Sequence, residues 1–479
     1  MSKILNNLPV EDLNEENDYL GIIDKGQIIK TFLESNTDEF KDIKMFSLYG
    51  EWGSGKSTLM KYLQKELKGN FNTFFFEAWE FESDSNLSLS LLEFLTTESQ
   101  DSTEEAFGEI VEIAGKLFKG FSKSMRITFP GLSIDGSKII ETLEEEPEET
   151  FLQLKKKFKT EFIRWEDSIT RGEKPKFNIV FIDDLDRCEP ENVLNLLSAL
   201  KLFFTYGEKT VFFCGVDKKA VNEAVKTKYG EVVKANEYLE KIFDISFSMP
   251  EHKNVLKLIN QYFKSFKINQ NKKNMSEEIA IFLKEIGYTN PRRLKKILNK
   301  YLILNNIKAS LIINDNDLKG FPNPINKDGG NFFETIIVLY FILALEFEPS
   351  ALDCIFNLKE KQMKYYADIK NRTDHNNLPR YTDILNRFTN NNLINKQISI
   401  FNNVNQFQDL MFTFLPIEID VPHPHVFKDS EFGKIRVENN SLQFRFVKYL
   451  INNTWIFSNS VEFSKISLVE IKNTINRVT

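Results

Sequence analysis

The chain has 479 residues, 42% of them hydrophobic, so it exceeds what one core usually organises, and we expect two or three domains. A net charge of −7 and a pI near 5.5 argue against a protein whose whole surface binds nucleic acid. The three cysteines, Cys188, Cys214 and Cys354, are widely spaced and fit neither a disulfide framework nor a zinc site. This pattern predicts a reducing, cytoplasmic location.

The N-terminal residues turn acidic at once and lack the apolar region of a signal peptide, so we expect no secretion. The most apolar stretch, IIVLYFILAL from Ile336, has about half of the roughly 20 residues that a membrane-spanning helix needs. We therefore predict a buried core helix there and no transmembrane segment.

A phosphate-binding loop follows the first predicted strand. The apolar run 44–49 leads into GEWGSGKST, and LMKYLQKEL then has helical spacing, which gives strand, loop and helix in order. The glycines let backbone N–H groups turn toward a triphosphate, and the N-terminal end of the following helix attracts it. This context favours a Walker A loop over a chance glycine-rich turn. The predicted nucleotide-binding residues are Gly50, Glu51, Trp52, Gly53, Ser54, Gly55, Lys56, Ser57 and Thr58.

Three side chains of this loop have predicted roles. Lys56 reaches the β and γ phosphates, Ser57 places its hydroxyl on Mg²⁺, and Thr58 contacts the α phosphate. The sequence therefore predicts ATP and Mg²⁺ as cofactors.

A second strand delivers paired carboxylates. In NIVFIDDLDRCEPENV, residues 179–182 form a buried parallel strand that ends at Asp183 and Asp184, a Walker B pattern. We predict that Asp183 holds Mg²⁺ through water and that Asp184 is the general base for the attacking water. A helix N-cap with first-turn acids is the alternative, which the following LDRCEP disfavours.

Three further strands, beginning near Phe71, Thr210 and Phe243, alternate with helices and complete a five-stranded α/β sheet. A strand between the Walker A helix and Walker B predicts the additional-strand class of P-loop ATPases. In that class the fourth strand lies between the strands that carry the two Walker motifs. Asp217 ends the fourth strand, and two roles remain open for it: a sensor of the γ phosphate or lytic water, and a helix N-cap.

Together these segments resemble the KAP family of P-loop NTPases, a branch of signalling NTPases related to the AAA+ and STAND groups. The resemblance rests on GEWGSGKST, FEAWEF, FIDDLDRCEP, VFFCGVDKKAV and EYLEKIFDISFSMP, which occur in the family's order within residues 18–300. Trp52 and Trp79 are among its distinctive residues. The resemblance implies a slow, partner-regulated ATPase, a homo-oligomer with a separate effector protein, and a role in bacterial signalling or anti-phage defence.

The resemblance also adds candidate residues. Asp186 and Arg187 either form a buried ion pair that fixes the loop, or Arg187 is an arginine finger that acts in cis or in trans. TNPRRLKKILNKY resembles a sensor-2 region, in which Arg292 or Arg293 reaches the nucleotide.

Many members of the family carry transmembrane helices between the Walker motifs. Here the insert, about residues 87–176, contains no segment that can span a membrane. Leu117, Phe118 and Phe121 either lie on a membrane surface or pack against the core, and we favour packing.

We predict an NTPase core over residues 1–250, an α-helical lid over 251–318 and a mostly helical C-terminal domain over 331–479, joined by a linker from Lys319. Residues 253–300 are rich in lysine and arginine. They face the triphosphate, a nucleic acid, an acidic partner such as the 141–149 run, or only solvent. His423 and His425 lack metal-ligand partners, and the DHNN at Asp374 lacks those of a nuclease.

Three functions are compatible with these features. We favour an ATP-driven regulatory switch over a nucleic-acid-dependent ATPase sensor or motor, because the chain is acidic and has no recognisable nucleic-acid fold. An inactive ATP-binding scaffold is disfavoured because Lys56, Ser57, Asp183 and Asp184 are all present.

Overall fold

The computed structural model describes residues 4–84, 86–99, 104–124, 150–172, 175–230, 235–250, 255–264, 266–269, 271–310, 325, 329–356, 441–457 and 468–478. The chain divides into two compact units. One comprises Leu8–Glu251, and the other comprises Met1–Asn7 together with His252–Thr479.

The first unit is built on a parallel sheet of five strands: β1 (Met45–Tyr49), β2 (Asn72–Glu77), β3 (Asn178–Asp183), β4 (Thr210–Val216) and β5 (Ile245–Ser248). The strand order is β2-β3-β4-β1-β5, and every neighbouring pair is parallel. The predicted α/β fold is confirmed, and β4 lies between the strands that carry the two Walker motifs. All five carboxyl ends therefore meet at one edge of the sheet, where ligands of such sheets bind.

Helices cover both faces of this sheet because alternate strand residues point to opposite sides. Ile179 and Phe181 of β3 belong to one apolar cluster, whereas Val180 and Ile182 belong to the other. The first cluster includes α1 (Ile22–Ser35) and α2 (Lys56–Leu67). The second includes α3 (Leu87–Glu98), α4 (Glu104–Ser124), α5 (Phe151–Ile169), α6 (Pro190–Leu202), α7 (Lys218–Tyr229) and α8 (Ala235–Ile242).

The described helices of the insert between the Walker motifs, α3, α4 and α5, contribute residues to this second cluster. Leu117 and Phe118 on α4 are buried, which confirms the packing prediction for those two residues. The side chain of Phe121 and the acidic run 141–149 lie outside the described residues. In the described part of the chain, no helix has both the length and the apolar character that crossing a bilayer requires.

The described residues of the second unit are mostly helical. Its described helices are α9 (Leu256–Phe263), α10 (Met275–Glu285), α11 (Pro291–Ser310), α12 (Phe332–Phe347), α13 (Ser350–Phe356), α14 (Leu442–Asn452) and α15 (Leu468–Val478). Ile336 and its neighbours on α12 are buried, so the predicted core helix is confirmed. Asp374, His423 and His425 lie outside the described residues, as does most of the linker from Lys319. The domain boundaries at 250, 318 and 331 stay predictions.

Candidate functional site

The loop between β1 and α2 has a backbone that depends on glycine. Gly53 and Gly55 have φ angles of 80° and 98°, a left-handed region that favours glycine. A Cβ atom on Gly50 would lie 2.5 Å from Ser54 Oγ and 2.7 Å from Met249 Cγ. These positions therefore tolerate no side chain without a change in the loop, and the predicted strand, loop and helix are present.

Lys56 begins α2 and is buried despite its charge. Its ammonium donates a hydrogen bond to the carbonyl oxygen of Gly50 at 2.9 Å and lies 3.7 Å from Asp186 Oδ2. The Asp186 side chain is only 6% exposed, and this oxygen has no hydrogen-bond partner among the described residues. The lysine is thus held inside the loop by a carbonyl and a buried carboxylate.

Asp183 is the last residue of β3 and is almost fully buried. Burial raises the pKa of this carboxyl, and the neighbouring Ser57 hydroxyl opposes the rise. Its Oδ2 atom is buried and has no hydrogen-bond partner in the described part of the chain. A hydroxyl beside a carboxylate oxygen that lacks a partner is the oxygen set that Mg²⁺ takes in such sites, so the residues present fit this ion.

Asp184 has a left-handed backbone, with φ 57°, and is half-buried. Burial and the neighbouring Asp183 carboxylate raise its pKa to about 6, whereas the positive charge of Arg187 opposes the rise. The Arg187 guanidinium lies 3.1 Å from Asp184 Oδ1 and 5.2 Å from the ring centre of Trp79. Arg187 therefore pairs with Asp184, while Asp186 faces Lys56, and the arginine side chain is one-third exposed.

Asp217 lies at the same edge of the sheet as the Walker residues. Its Oδ1 accepts the backbone N–H of Lys219 at 2.9 Å, so it caps the N-terminus of α7. Its Oδ2 accepts the backbone N–H of Trp52, in the phosphate-binding loop, also at 2.9 Å. The N-cap geometry is therefore present, and the sensor role stays a prediction.

Arg292 and Arg293 lie at the start of α11 in the second unit. Their backbone N–H groups both donate to Asn290 Oδ1, and the Arg293 guanidinium lies 5.2 Å from the ring centre of Phe347. Their predicted role as sensor 2 stays a prediction.

Two contacts of the site were not predicted from the sequence. Thr58 Oγ1 accepts the backbone N–H of Val10 at 3.2 Å, so an N-terminal segment contacts the start of α2. Glu77 ends β2 directly beside Asp183 in the sheet register, and its carboxylate lies 3.3 Å from the Lys61 ammonium of α2. The position of Glu77 at the end of a strand was a usable signal, whereas nothing local marks Val10.

Several basic residues of the predicted lid have partners within the second unit. Lys273 pairs with Glu278 at 2.8 Å, and Lys296 and Lys300 both pair with Glu346. Burial lowers the pKa of the Lys295 ammonium, and the charge of Arg292 adds to this effect. Part of the positive charge in residues 253–300 is therefore neutralised or shielded inside the unit.

Comparison with known proteins gives one family and two relatives. A family model described as "KAP family P-loop domain" matches residues 26–405. The uncharacterized protein MJ0181 of Methanocaldococcus jannaschii is 43% identical over 114 residues, which is 23% of this chain and 44% of that protein. The uncharacterized protein MJ0182 of the same organism is 33% identical over 172 residues, or 29% of this chain and 88% of that protein. The chain thus covers less than half of the first relative and most of the second.

Proposed function

This chain belongs to the KAP family of P-loop NTPases, and from that premise we propose that it is a Mg²⁺-dependent ATPase that acts as a regulatory switch. Nucleotide binding follows from the family, whereas ATP hydrolysis, the switch and its biological role are the proposal. The observation that carries it is the meeting of the two Walker motifs, in which the Ser57 hydroxyl lies beside the carboxylate of Asp183 and the Lys56 ammonium lies 3.7 Å from that of Asp186.

The phosphates of ATP would lie in the loop between β1 and α2. Lys56 would turn from Gly50 and Asp186 toward the β and γ phosphates, since a dianionic phosphate attracts an ammonium more strongly than a carbonyl does. Thr58 would contact the α phosphate. Ser57 and Asp183 would hold Mg²⁺, which supplies positive charge that neutralises the phosphate oxygens during phosphoryl transfer.

Asp184 would receive a proton from the attacking water, and its half-buried position directly after β3 supports this role. The charge of Arg187 favours the ionised carboxylate that a general base requires. In the structure this arginine is engaged by Asp184 and Trp79, so hydrolysis would be slow until Arg187 moves to the phosphates.

The wider role is proposed from the family resemblance. An arginine supplied across a subunit contact would make turnover depend on assembly, so we propose a homo-oligomer that signals to a separate effector protein. We propose that this switch acts in bacterial signalling or anti-phage defence, as the family resemblance implies. Lys273, Lys296 and Lys300 of the second unit are paired with glutamates, so they give no added support to a nucleic-acid-dependent motor. Turnover with and without DNA and RNA tests that alternative.

The experiment measures ATP turnover and molecular mass of the wild type and of Asp184→Asn, each with and without ATP, DNA and RNA. Lys65→Ala is the matched control, because Lys65 also lies on α2 but pairs only at the surface, with Asp12. We expect slow wild-type turnover, a higher mass with ATP, and turnover lost only in Asp184→Asn.

The outcomes separate the alternatives. Acceleration by DNA or RNA would assign the nucleic-acid-dependent function instead. ATP binding without any turnover would assign the scaffold, and an unchanged mass with ATP would overturn the assembly step.

A further inference from the structure

The first three residues of the phosphate-binding loop are all held by the junction between β4 and α7. Gly50 N–H donates to the carbonyl oxygen of Val216 at 3.1 Å, and Trp52 N–H donates to Asp217 Oδ2 at 2.9 Å. Between them, the Glu51 carboxylate lies 2.6 Å from the Lys219 ammonium. One short segment, residues 216–219, therefore fixes the entrance of the loop.

Within this segment, Asp217 contacts the loop through its side chain, which is partly buried. Its two carboxylate oxygens are divided between two tasks, since Oδ1 caps α7 through Lys219 N–H and Oδ2 holds Trp52 N–H. Hydrogen bonds from N–H groups to a carboxylate are stronger than those between neutral groups. The cap also fixes the direction of the carboxylate, so the same side chain sets the position of the Trp52 amide.

The neighbouring side-chain contact is weaker. Lys219 and Glu51 are 80% and 58% exposed, and ion pairs at such positions contribute little to stability. Lys218 lies 4.0 Å from the ring centre of Tyr49, which attaches the start of α7 to the end of β1. The junction is thus anchored to β1 independently of Asp217, while Asp217 is the side chain that holds the Trp52 amide of the loop.

We propose that Asp217 is a positioning residue for the phosphate-binding loop, which it holds in its phosphate-binding shape through the backbone N–H of Trp52. Beyond Trp52 the loop passes through two left-handed glycines, Gly53 and Gly55, whose freedom makes an untethered loop costly to order. A loop fixed before the nucleotide arrives avoids that cost at binding. This inference rests on the nucleotide site of the proposed function and adds a determinant of its affinity.

The positioning role and the sensor role of Asp217 predict different measurements. A loop that is held in shape binds the β phosphate of both ADP and ATP. Loss of the Asp217–Trp52 bond should therefore weaken the binding of both nucleotides to the same extent. A sensor that faces the γ phosphate or the lytic water has no part in ADP binding, so its loss lowers kcat and leaves ADP affinity unchanged.

The test is Asp217→Ser, because serine still caps a helix but has a single, shorter side-chain oxygen that cannot also reach Trp52 N–H. We expect ADP and ATP to bind roughly tenfold more weakly, the share expected for a lost hydrogen bond to a charged group. The kcat at saturating ATP should stay close to that of the wild type. Lys219→Ala is the control, since it removes an exposed pair and keeps the backbone N–H that Asp217 caps, so ADP affinity should change by about twofold at most.

A melting curve establishes that Asp217→Ser is folded, and Asp217→Thr, another capping residue with one short side-chain oxygen, replaces it if it is not. Weakened ADP binding in the variant with an unaffected control supports the positioning role. Unchanged ADP affinity overturns it, whether kcat falls or not. If the wild type binds neither ADP nor ATP, the proposed function fails as well, and that result is visible before any variant is measured.

Discussion

The guanidinium of Arg187 lies 3.1 Å from the carboxylate of Asp184, three residues earlier in the chain. The same guanidinium lies over the ring of Trp79, which is 52% exposed. The pair thus joins the proposed general base to an arginine that stands at the protein surface. A change at Trp79, or at a subunit contact there, can therefore alter the position of Asp184 through the side chain of Arg187.

Asp184→Asn tests the general base. Asparagine keeps the shape of the side chain but cannot accept the proton of the attacking water, so we expect ATP turnover to fall about 10²–10⁴-fold. ATP affinity should persist, because Lys56 and the loop backbone are unchanged. Single-turnover hydrolysis and equilibrium ATP binding measure the two effects, and a variant that retains wild-type turnover would show that another group accepts the proton.

Arg187→Ala and Arg187→Lys test the arginine. We expect kcat to fall roughly tenfold or more in Arg187→Ala, because a positive charge near the developing phosphate charge is lost. ADP affinity should be unaffected, since Arg187 contacts Asp184 and Trp79 rather than the phosphate-binding loop. Arg187→Lys should recover little of the lost kcat, because lysine lacks the planar guanidinium that stacks on Trp79. Faster turnover in Arg187→Ala would instead mean that the pair restrains the base.

Lys56→Ala tests the phosphate contact and a stability effect together. We expect ATP binding to be lost, and the folded state to lose about 1–3 kcal/mol because the buried Asp186 carboxylate no longer has a cation beside it. Nucleotide titration and urea denaturation measure these effects. Lys65→Ala, an exposed lysine of the same helix, should change neither quantity, and an equal loss in that variant would contradict the assignment.

Glu166 on α5 provides a pH-dependent prediction for stability away from the nucleotide site. Its carboxylate is buried and accepts the backbone N–H groups of Glu208 at 2.7 Å and Lys209 at 3.1 Å. Burial raises the pKa of this carboxyl above its ordinary value of 4.5, although both hydrogen bonds oppose the rise. Because the folded-state pKa is raised, the stability from protonated Glu166 is fully present below the unfolded pKa and is lost as pH rises through the folded pKa.

Glu166→Gln removes this titration. We expect the free energy of unfolding of the wild type, relative to that of the variant, to decrease as pH rises from about 4 to 8. Urea denaturation across this range measures the difference between the two proteins. Glu208→Gln, at an exposed neighbour, is the control. A difference that grows in the opposite direction would show that the two N–H bonds outweigh burial.

The five strands were predictable because each one carries a strong local signal. Residues 179–182 are continuously apolar and end in two aspartates, and β3 is buried along its whole length. Parallel strands place their carboxyl ends at one edge, so the sequence alone brought Lys56, Asp183 and Asp217 to the same side of the sheet.

The sequence by itself thus determined the strand–loop–helix of Walker A, the acidic end of β3 and the class of the sheet, because local periodicity and glycine placement encode them. Only the tertiary structure decided which charges meet. Arg187 pairs with Asp184 while Asp186 faces Lys56, because the left-handed backbone of Asp184 and the short 3₁₀ turn Leu185–Arg187 set the directions of the three side chains. The contact between Asp217 and Trp52 joins residues 165 positions apart, and such a bond depends on how two loops close over one sheet edge, which no local pattern specifies.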